Sequence, residues 1–449
     1  MKTDVLVIGG SAAGIVAAMV GKCRYSDKEF TVLRKQPAAL VPCGIPYIFG
    51  SLSGSDKDVI PDGIYDKAGI NLVVDEAIGL DLDKKVCRTE GGEEIEFDRL
   101  VIATGSTPNV PGWLPGTDLE NVFTIPKDKA ALDGIAAKLA GYDKIVTIGG
   151  GFIGVEVSDE ICKRGKEVTI VEVLPHLLGL AFDTEFAVHA EELLTARGVT
   201  IKTGVGAKAI HGQDGKVKEV ELQDGERIPA DAVILAMGYR PNTDLAAAAG
   251  LRLNERRFIR VDEYMRTFHP EVFAVGDCAE KRDFITRKPS SVMLASTATS
   301  EARVAGGNLY RLSVVKTFSG TIAIFSTAIG ETAFGAAGLT EAAGEKEGFN
   351  VITASFTGVD KHPGTLPGAH AQTVKLIVAR ESGVVLGGEV MGGTSVGELM
   401  NIIGLAIENR MTVHSLFTSQ IGTHPLLTAP PTAYPLIKAA EAALHQIWM

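Results

Sequence analysis

The sequence contains one pattern twice: an apolar strand, a glycine-rich turn and the start of a helix. Residues 4–14 read DVLVIGGSAAG, and residues 144–154 read KIVTIGGGFIG. Each copy is followed, at a similar distance, by an apolar run that ends in glycine, proline and asparagine, LVIATGSTPN at 100–109 and VILAMGYRPN at 233–242. Such self-similarity indicates two related α/β units. The uninterrupted apolar strands are typical of parallel sheets that are buried on both faces.

The glycines of these turns suit the binding of a dinucleotide. The first glycine allows a tight turn, the last lets helix and strand pack closely, and the helix N-terminus presents free N–H groups to a pyrophosphate. A single turn of this kind can have a purely structural role, but two copies, each between a strand and a helix, favour the binding of two dinucleotides. The turn residues are Gly149, Gly151 and Gly154 in the second unit and Gly9, Ser11 and Gly14 in the first.

The end of the second strand differs between the two units. Glu172 ends EVTIVE, where a carboxylate accepts hydrogen bonds from a ribose 2′-hydroxyl and repels a 2′-phosphate, so NADH is predicted rather than NADPH. A solvated glutamate at a strand end is the alternative. In the first unit Arg34 follows FTVL, and the adjacent Lys35 is no substitute for an acid. A different way of holding the adenosine end is therefore expected there.

Composition restricts the partners. The 449 residues carry a net charge of −11, which argues against nucleic acid and anionic membranes as partners. The five cysteines are scattered without a CxxC pair, so neither a disulfide framework nor a metal site is predicted, and a reducing, cytoplasmic location is expected. Residues 5–21 are uncharged, but glycines interrupt them and they are short for a membrane span. A soluble protein is expected.

A third motif leads to a known family. TFHPEVFAVGD at 267–277 ends in Asp277. Together with the glycine turns and the ATG at 103–105, it resembles the FAD- and NAD-dependent pyridine nucleotide–disulfide reductases over the whole chain. The resemblance implies two Rossmann-like dinucleotide-binding domains, for FAD and NAD, an α+β dimerisation domain and a homodimer. It also implies that Asp277 binds the ribityl chain of FAD.

The resemblance implies domain boundaries and cofactor-binding residues. The expected domains are FAD-binding at 1–115 and 245–325, NAD-binding at 116–244 and dimerisation at 326–449. The residues expected to bind FAD and NADH are Gly9, Gly10, Ser11, Ala12, Ala13, Gly14, Ala103, Thr104, Gly105, Asp277, Gly149, Gly151, Phe152, Ile153, Gly154, Glu156, Glu172 and Gly238. Phe152 resembles the family's aromatic gate, with core packing as the alternative, and Glu156 resembles its nicotinamide-side carboxylate.

Cys43 lies in VPCGIPY with no other cysteine nearby. Pro42 and Pro46 restrict the backbone, and Gly44 is expected to admit close approach of a flavin. The motif resembles the family's single-cysteine branch, which includes NADH oxidases and peroxidases, coenzyme A-disulfide reductases and persulfide or polysulfide reductases. A small buried hydrophobe is the alternative role. We expect a helix N-terminus and the oxidised flavin to lower the pKa of Cys43, with the second sulfur arriving on the substrate.

Differences between this sequence and the single-cysteine branch indicate which class of electron acceptor to expect. Its oxidases and peroxidases typically carry a histidine in the first glycine turn, which here reads GGSAAG, and this favours sulfur substrates. The tyrosines typical of its sulfur reductases are also absent, since the matching stretches read GTLPG at 364–368 and LTAPP at 427–431. His424 resembles the proton donor of glutathione reductase-like enzymes, although it could equally cap a helix. Tyr434 is the second candidate and His362 the third.

The expected activity is the NADH-dependent reduction of sulfur–sulfur bonds in coenzyme A persulfide, polysulfide or coenzyme A disulfide. Lys22 and Arg24 match basic residues that contribute to coenzyme A binding in the family, although a helix C-terminus attracts cations anyway. An NADH oxidase or peroxidase is the nearest alternative. An electron-transfer or signalling flavoprotein is the third, and it would not need the thiol of Cys43.

The C-terminal part predicts a sheet and a helix. TVKLIVARESGVVLGGEVMGG at 373–393 reads as two strands around a turn. The following helix has apolar residues at helical spacing, at Val396, Leu399, Ile403 and Ala406. This face suits a dimer interface, and equally the core of an ordinary α+β domain.

Overall fold

The structure is a computed structural model that describes residues 1–313 and 317–449. Its strands are β1 (Lys2–Ile8), β2 (Phe30–Arg34), β3 (Ala39–Leu40), β4 (Val59–Ile60), β5 (Asn71–Val74), β6 (Ala77–Asp81), β7 (Val86–Thr89), β8 (Glu94–Ile102), β9 (Ser106–Pro108), β10 (Val122–Thr124), β11 (Lys144–Ile148), β12 (Glu167–Val171), β13 (Val199–Lys202), β14 (Ala207–Gln213), β15 (Lys216–Leu222), β16 (Arg227–Pro229), β17 (Ala232–Leu235), β18 (Tyr239–Pro241), β19 (Val272–Ala274), β20 (Lys281–Arg282), β21 (Pro289–Ser290), β22 (Phe325–Ile329), β23 (Thr332–Gly338), β24 (Val351–Val359), β25 (Ala371–Ala379) and β26 (Val385–Gly392).

The helices surround these strands. They are α1 (Ala12–Arg24), α2 (Gly63–Ala68), α3 (Lys129–Leu139), α4 (Phe152–Cys162), α5 (Thr184–Ala196), α6 (Asp244–Ala248), α7 (Ala295–Gly307), α8 (Glu341–Lys346), α9 (Val396–Glu408), α10 (Val413–Phe417) and α11 (Pro435–Trp448), with 3-10 helices at Pro42–Phe49, Ser55–Asp58, Gly276–Cys278 and Pro431–Ala433. No helix in the described ranges is both long and apolar enough to cross a membrane. The uncharged stretch at 5–21 instead forms most of β1, the first glycine turn and the start of α1.

The first unit forms a sheet around β1. This strand pairs in parallel with β2 and β8, β2 pairs in parallel with β5, and β7 and β6 extend the other edge as antiparallel strands. Strand β19, from much later in the chain, pairs in parallel with β8. The core beneath α1 and α7 includes Val5, Leu6 and Val7, none of which is exposed to solvent. The chain therefore returns to its first sheet after building the second.

The second unit is a parallel sheet in the order β10-β17-β11-β12-β13. Its two faces are covered differently. Ile145 and Ile170 pack into the core shared with α4 and α5, whereas Val146 and Val171 pack against the antiparallel meander β14-β15-β16. Because both faces are buried, its central strands are mostly apolar, as the sequence pattern indicates.

The repeated segments meet each other in the structure. Strand β9 lies within the first copy of the glycine–proline–asparagine pattern, β18 lies within the second, and the two pair as antiparallel strands. Asn109 N–H donates to the carbonyl of Gly238, and Asn242 N–H donates to the carbonyl of Gly105, both at 2.9 Å. Gly105 and Gly238 share a left-handed backbone, with φ of 68° and 79°. The predicted relation between the two α/β units is confirmed.

The C-terminal region is an antiparallel sheet, β22-β23-β26-β25-β24, with α9 and α11 packed on it. The strands predicted at 373–393 are β25 and β26. The helix is also where its apolar spacing predicts it, but its apolar face lies inside the chain's own core and not at a surface. The buried residues of that face are Val396, Leu399, Ile403 and Ala406. On the opposite face of α9, Ile402 and Leu405 are exposed.

Candidate active site

The first and last glycines of each turn are required by the chain's own backbone. Gly9 has φ of 117°, and a Cβ there would lie 2.1 Å from the carbonyl oxygen of Ala103. A Cβ on Gly14 would lie 1.8 Å from the carbonyl oxygen of Gly9. The second unit repeats both contacts, at 2.4 Å for Gly149 and 1.9 Å for Gly154. These glycines therefore hold strand, turn and helix together.

The middle position of each turn is open. A Cβ on Gly151 would meet no atom within 4 Å, and its φ of −75° is ordinary for any residue. Ser11 and Gly151 are the N-caps of α1 and α4, and neither supplies a side-chain capping bond. The first N–H groups of both helices therefore remain available to a phosphate.

Arg34 and Glu172 occupy matching places in the two units. A Cβ on Gly10 would lie 2.8 Å from Arg34 Cδ, and a Cβ on Gly150 would lie 3.0 Å from Glu172 Cβ. Glu172 Oε2 accepts from Gly150 N–H at 2.6 Å, and Oε1 accepts from Leu174 N–H at 2.8 Å. Both bonds hold the Glu172 carboxyl group beside the second turn.

Arg34 is satisfied within the protein. Its side chain is 3% exposed, and Nη1 and Nη2 donate to the two carboxylate oxygens of Asp62 at 2.6 and 2.9 Å. Nε and Nη2 also donate to the carbonyls of Gln36 and Pro37, both at 2.7 Å. Hydrogen bonding with Arg34 lowers the pKa of Asp62, and the same pair raises the pKa of Arg34. Arg34 is therefore a structural cation whose aliphatic stem supports the first turn.

Removing the partner of Arg34 is expected to destabilise the first unit. Asp62→Ala leaves a buried guanidinium with backbone carbonyls as its acceptors, so the melting temperature should fall by about 3–6 °C. The double variant Arg34→Met/Asp62→Ala should recover most of the loss, because no buried charge remains. Asp66→Ala, at an exposed position on the same helix, is the matched control. Calorimetry showing no change in Asp62→Ala, or no recovery in the double variant, would contradict the structural role of the pair.

A cavity of approximately 1450 Å³ joins the two turns. It is larger than the roughly 300–1,000 Å³ typical of a pocket for a drug-sized ligand. Of the predicted cofactor residues, all line it except Gly14 and Gly154, which pack beneath the turns. Cys43 lines it as well, and sequence reasoning missed other lining residues, among them Tyr47, Trp113, Lys127, Leu180 and Phe325.

Cys43 is held at the start of the 3-10 helix Pro42–Phe49, with an exposed thiol. The end of this segment is fixed to α4, since Glu160 accepts hydrogen bonds from Ser51 N–H and, at 3.0 Å, from Ser51 Oγ. Burial and the Glu156 carboxylate raise the pKa of Cys43, while Lys127 opposes them. The protein's own groups therefore do not provide the expected lowering of the Cys43 pKa, because burial and the nearby carboxylates outweigh Lys127.

Gly44 is needed for packing within the chain. A Cβ at this position would lie 1.8 Å from Oδ1 of Asp58. The glycine therefore makes room for a buried carboxyl of the same chain, and its role beside a flavin stays a prediction.

Asp277 lies in the cavity beside a lysine. Its Oδ2 accepts from Ser106 Oγ at 2.7 Å and from Lys127 Nζ at 2.8 Å. Burial raises and Lys127 lowers the pKa of Asp277, and the net shift is downward. The carboxylate is therefore charged and suited to accept a hydroxyl group of a ligand. With the open turns and the cavity, this arrangement fits a flavin dinucleotide at the first unit and a nicotinamide dinucleotide at the second.

Comparison with known proteins agrees with this geometry. The family model described as pyridine nucleotide-disulphide oxidoreductase matches residues 3–302, and that of the family's dimerisation domain matches residues 324–434. The chain belongs to this family. Its members use FAD and NADH or NADPH, and the residues of both turns fit these cofactors.

Similar proteins of this family include sulfur reductases and oxidases. An NAD(P)H coenzyme A polysulfide/persulfide reductase of Pyrococcus horikoshii is 33% identical over 440 residues, covering 96% of each chain. An NADH oxidase of Methanocaldococcus jannaschii is 30% identical over 98% of this chain and 99% of its own. The solved structure of an NAD-dependent persulfide reductase from A. fulgidus aligns with a TM-score of 0.90 at 30% identity, covering 99% of this chain and 83% of the other.

The predicted gate of this oxidoreductase lies against the C-terminal domain. The Phe152 ring stacks on Phe325 of β22, with centroids 4.9 Å apart and planes 12° apart. Two residues after Phe325 on the same strand, Thr327 Oγ1 donates a hydrogen bond to Glu156 Oε1 at 2.8 Å. Burial raises the pKa of Glu156 to about 7. This part of the cavity is therefore built by α4 together with β22 of the C-terminal sheet, and no local sequence pattern pointed to Phe325 or Thr327.

The predicted proton donors lie outside the cavity of this chain. His424 is on an exposed loop, where its Nδ1 accepts from Leu426 N–H at 3.3 Å and its carbonyl accepts from Thr428 N–H at 3.0 Å. His424 therefore stabilises a turn, and the alternative role of capping a helix is wrong, because the structure has no helix end at this residue. Tyr434 is buried in the C-terminal core. The ring nitrogen Nδ1 of His362 lies 2.9 Å from the carbonyl oxygen of Thr428, so His362 supports the same loop.

The predicted coenzyme A cations also lie away from the cavity. Lys22 Nζ donates to the carbonyls of Ser26 and Lys28, at 3.0 and 2.8 Å. Arg24 Nε donates to Ser313 Oγ at 3.3 Å. Lys22 therefore holds the turn that follows its helix, whereas Arg24 is exposed and makes one side-chain hydrogen bond.

Proposed function

We propose that this oxidoreductase uses NADH to reduce the sulfur–sulfur bonds of small thiol derivatives through Cys43. The observation that carries the proposal is the position of one exposed thiol in a cavity shared by both glycine turns. Among the residues that line this cavity in the described ranges, Cys43 is the single cysteine. A second sulfur for thiol–disulfide chemistry must then come from the substrate. The names of the Pyrococcus and A. fulgidus relatives support this acceptor class.

The chemistry of Cys43 follows from its isolation. Its thiolate attacks the outer sulfur of a persulfide R–S–SH, so that Cys43–S–SH forms and RS⁻ leaves with the electron pair of the broken bond. When bound, FAD and NADH supply the two electrons that split Cys43–S–SH into hydrosulfide and the thiolate. Glu156 can hold a proton elsewhere in the cavity near neutral pH, since burial raises its pKa to about 7 and Thr327 occupies Oε1 but not Oε2.

The cofactors are proposed to follow the two units. FAD would bind the first turn, with Asp277 on its ribityl chain, and NADH would bind the second, with Glu172 on its ribose. The domain ranges 1–115, 245–325, 116–244 and 326–449 are proposed as predicted. Free cysteines throughout the described chain support a reducing, cytoplasmic location.

A homodimer is proposed through the exposed apolar side chains of the C-terminal domain. These are Ile402, Leu405, Phe417, Leu426 and Leu427. The domain that carries them matches the family's dimerisation domain. His424, beside Leu426 on the same exposed loop, would reach the neighbouring subunit's cavity as the proton donor, with Tyr434 as the second proposal. Lys22 and Arg24 remain the proposed contacts for coenzyme A phosphates.

A substrate panel tests this function. NADH-reduced holoenzyme is mixed anaerobically with coenzyme A persulfide, polysulfide, coenzyme A disulfide or peroxide, and compared with oxygen. Turnover should be fastest with one of the sulfur compounds. Faster turnover with oxygen or peroxide than with every sulfur compound would instead support an NADH oxidase or peroxidase, the second candidate, which the name of the Methanocaldococcus relative favours.

The nucleotide preference is expected to depend on Glu172. Glu172→Ala removes the charge that repels a 2′-phosphate, so the ratio of kcat/KM for NADH over NADPH should fall by at least about tenfold. Glu167→Ala, at the exposed start of the same strand, is the control. Steady-state kinetics with both nucleotides decide the matter, and an unchanged ratio in Glu172→Ala would remove the carboxylate from nucleotide recognition.

A further inference from the structure

A buried carboxyl lies directly behind the segment that carries Cys43. Asp58 ends the 3-10 helix Ser55–Asp58 and leads into β4. Its side chain is 4% exposed, and its Oδ2 has no hydrogen-bond partner among the described residues. Burial raises the pKa of Asp58 to about 6. An unpartnered buried oxygen of this kind is costly to folding and calls for a functional reason.

Asp58 touches the thiol's segment through both main chain and side chain. Its carbonyl accepts from Val41 N–H at 2.9 Å, next to the antiparallel pairing of β3 with β4. Its Oδ1 fills the space that a Cβ on Gly44 would need. Because Asp58 does not line the cavity, it acts on Cys43 through this segment and through its charge.

Among the described residues, no cation pairs with Asp58. Lys129 of α3 pairs with Asp56 at 3.0 Å and with Asp133 at 2.9 Å. Ser55 donates to Asp133. On the side of the thiol, the charged groups that face Cys43 are Glu156, Lys127, Asp58 and Asp277. An ionised Asp58 therefore adds a like charge to a thiolate that already has two carboxylates near it.

We propose that Asp58 is a positioning residue that fixes the Cys43 segment through Gly44 and opposes the charge on its sulfur. The inference rests on the proposed role of Cys43 as the reactive thiol. Formation of the thiolate then favours uptake of a proton by Asp58, because the carboxylate and the thiolate are like charges in a partly dry site. The reactivity of Cys43 is in this way coupled to a carboxyl outside the cavity.

The test measures the thiol directly and needs no sulfur substrate. Holoenzyme is alkylated with iodoacetamide over a pH series, and modification is followed on the peptide that contains Cys43, because Cys23 is also exposed. Asp58→Asn keeps the shape of the side chain and removes its charge. The midpoint of Cys43 alkylation against pH should therefore move to lower pH, and alkylation at neutral pH should be about two- to fivefold faster. Asp56→Asn is the matched control, since Asp56 lies on the same short helix with its side chain 88% exposed.

The alkylation results distinguish an effect of the charge on Asp58 from a general change in the structure around Cys43. An unchanged midpoint in Asp58→Asn, an equal shift in Asp56→Asn, or a uniform change of rate at every pH would overturn the proposal. Gly44→Ala is the second variant, in case Asp58→Asn does not fold. It should displace the carboxyl and also move the midpoint, and an unmoved midpoint would count against the contact. Since alkylation is independent of the acceptor, a failure of the proposed sulfur activity would not alter this result.

Discussion

Replacing Cys43 by serine is expected to abolish sulfur reduction while NADH oxidation by an artificial acceptor continues. A serine hydroxyl stays protonated and cannot form the bond to sulfur, so kcat with the best sulfur compound should fall by at least about 10³-fold. Reduction of ferricyanide should stay within about twofold, because the glycine turns and Asp277 are untouched. Both rates are measured anaerobically on the same protein preparation.

Two comparisons make the Cys43→Ser result specific. Cys23→Ser removes an exposed thiol outside the cavity and should leave both activities intact. Melting temperature and flavin content should match the wild type in both variants. Full sulfur turnover in Cys43→Ser would show that the thiol is not the reacting group.

The second large effect is expected at the middle position of the second glycine turn, which is proposed to bind NADH. Gly151→Val places a side chain in open space within the protein but between the helix N-terminus and a pyrophosphate. The KM for NADH should rise by at least about 30-fold, with flavin content and melting temperature nearly unchanged. Gly154→Ala should instead lower the melting temperature, because its Cβ would lie 1.9 Å from a backbone oxygen.

This pair of variants separates ligand contact from packing. Nucleotide titrations and calorimetry are both needed, since either effect alone would reduce activity. If Gly151→Val binds NADH normally, the pyrophosphate does not lie against this turn. If Gly154→Ala is as stable as the wild type, the close packing of helix and turn is not required.

The parts of the fold that follow from local pattern were predictable from the sequence. Residues close together in the chain determine both glycine turns, the strands before them and the two later segments that end in glycine, proline and asparagine. Even so, the exchange of hydrogen bonds between Asn109 and Asn242 and their opposite units was not visible, because it joins segments far apart. Local pattern therefore predicted the two units but not how they meet.

Arg34 shows why the rest of the site was not predictable. Arg34 stands where an acidic residue that binds the cofactor would be expected. Its partner Asp62 lies 28 residues later in the chain, at the N-terminus of α2. Lys127 and Phe325 likewise reach the cavity from other elements, with no motif around them. The apolar face of α9 had the spacing of a helix, but spacing does not say whether the chain's own sheet or a second subunit covers it.

The electrostatics of Cys43 could not be predicted for a related reason. A pKa depends on burial and on charges in space, and here Glu156 and Asp58 come from outside the VPCGIPY motif. The expectation of a lowered pKa considered the helix N-terminus and the flavin alone. Lys127 is the lining cation that could offset the carboxylates, since the guanidinium of Arg34 is committed to Asp62.

The most direct test of the central claim is to trap the sulfur bond on Cys43. Holoenzyme is incubated anaerobically with coenzyme A disulfide in the absence of NADH, quenched in acid, digested without reductant and analysed by mass spectrometry. A coenzyme A adduct on the peptide that contains Cys43, lost again when NADH is added before the quench, is the predicted result. Turnover of the same substrate with no adduct at Cys43, or with an adduct at another cysteine, would contradict it.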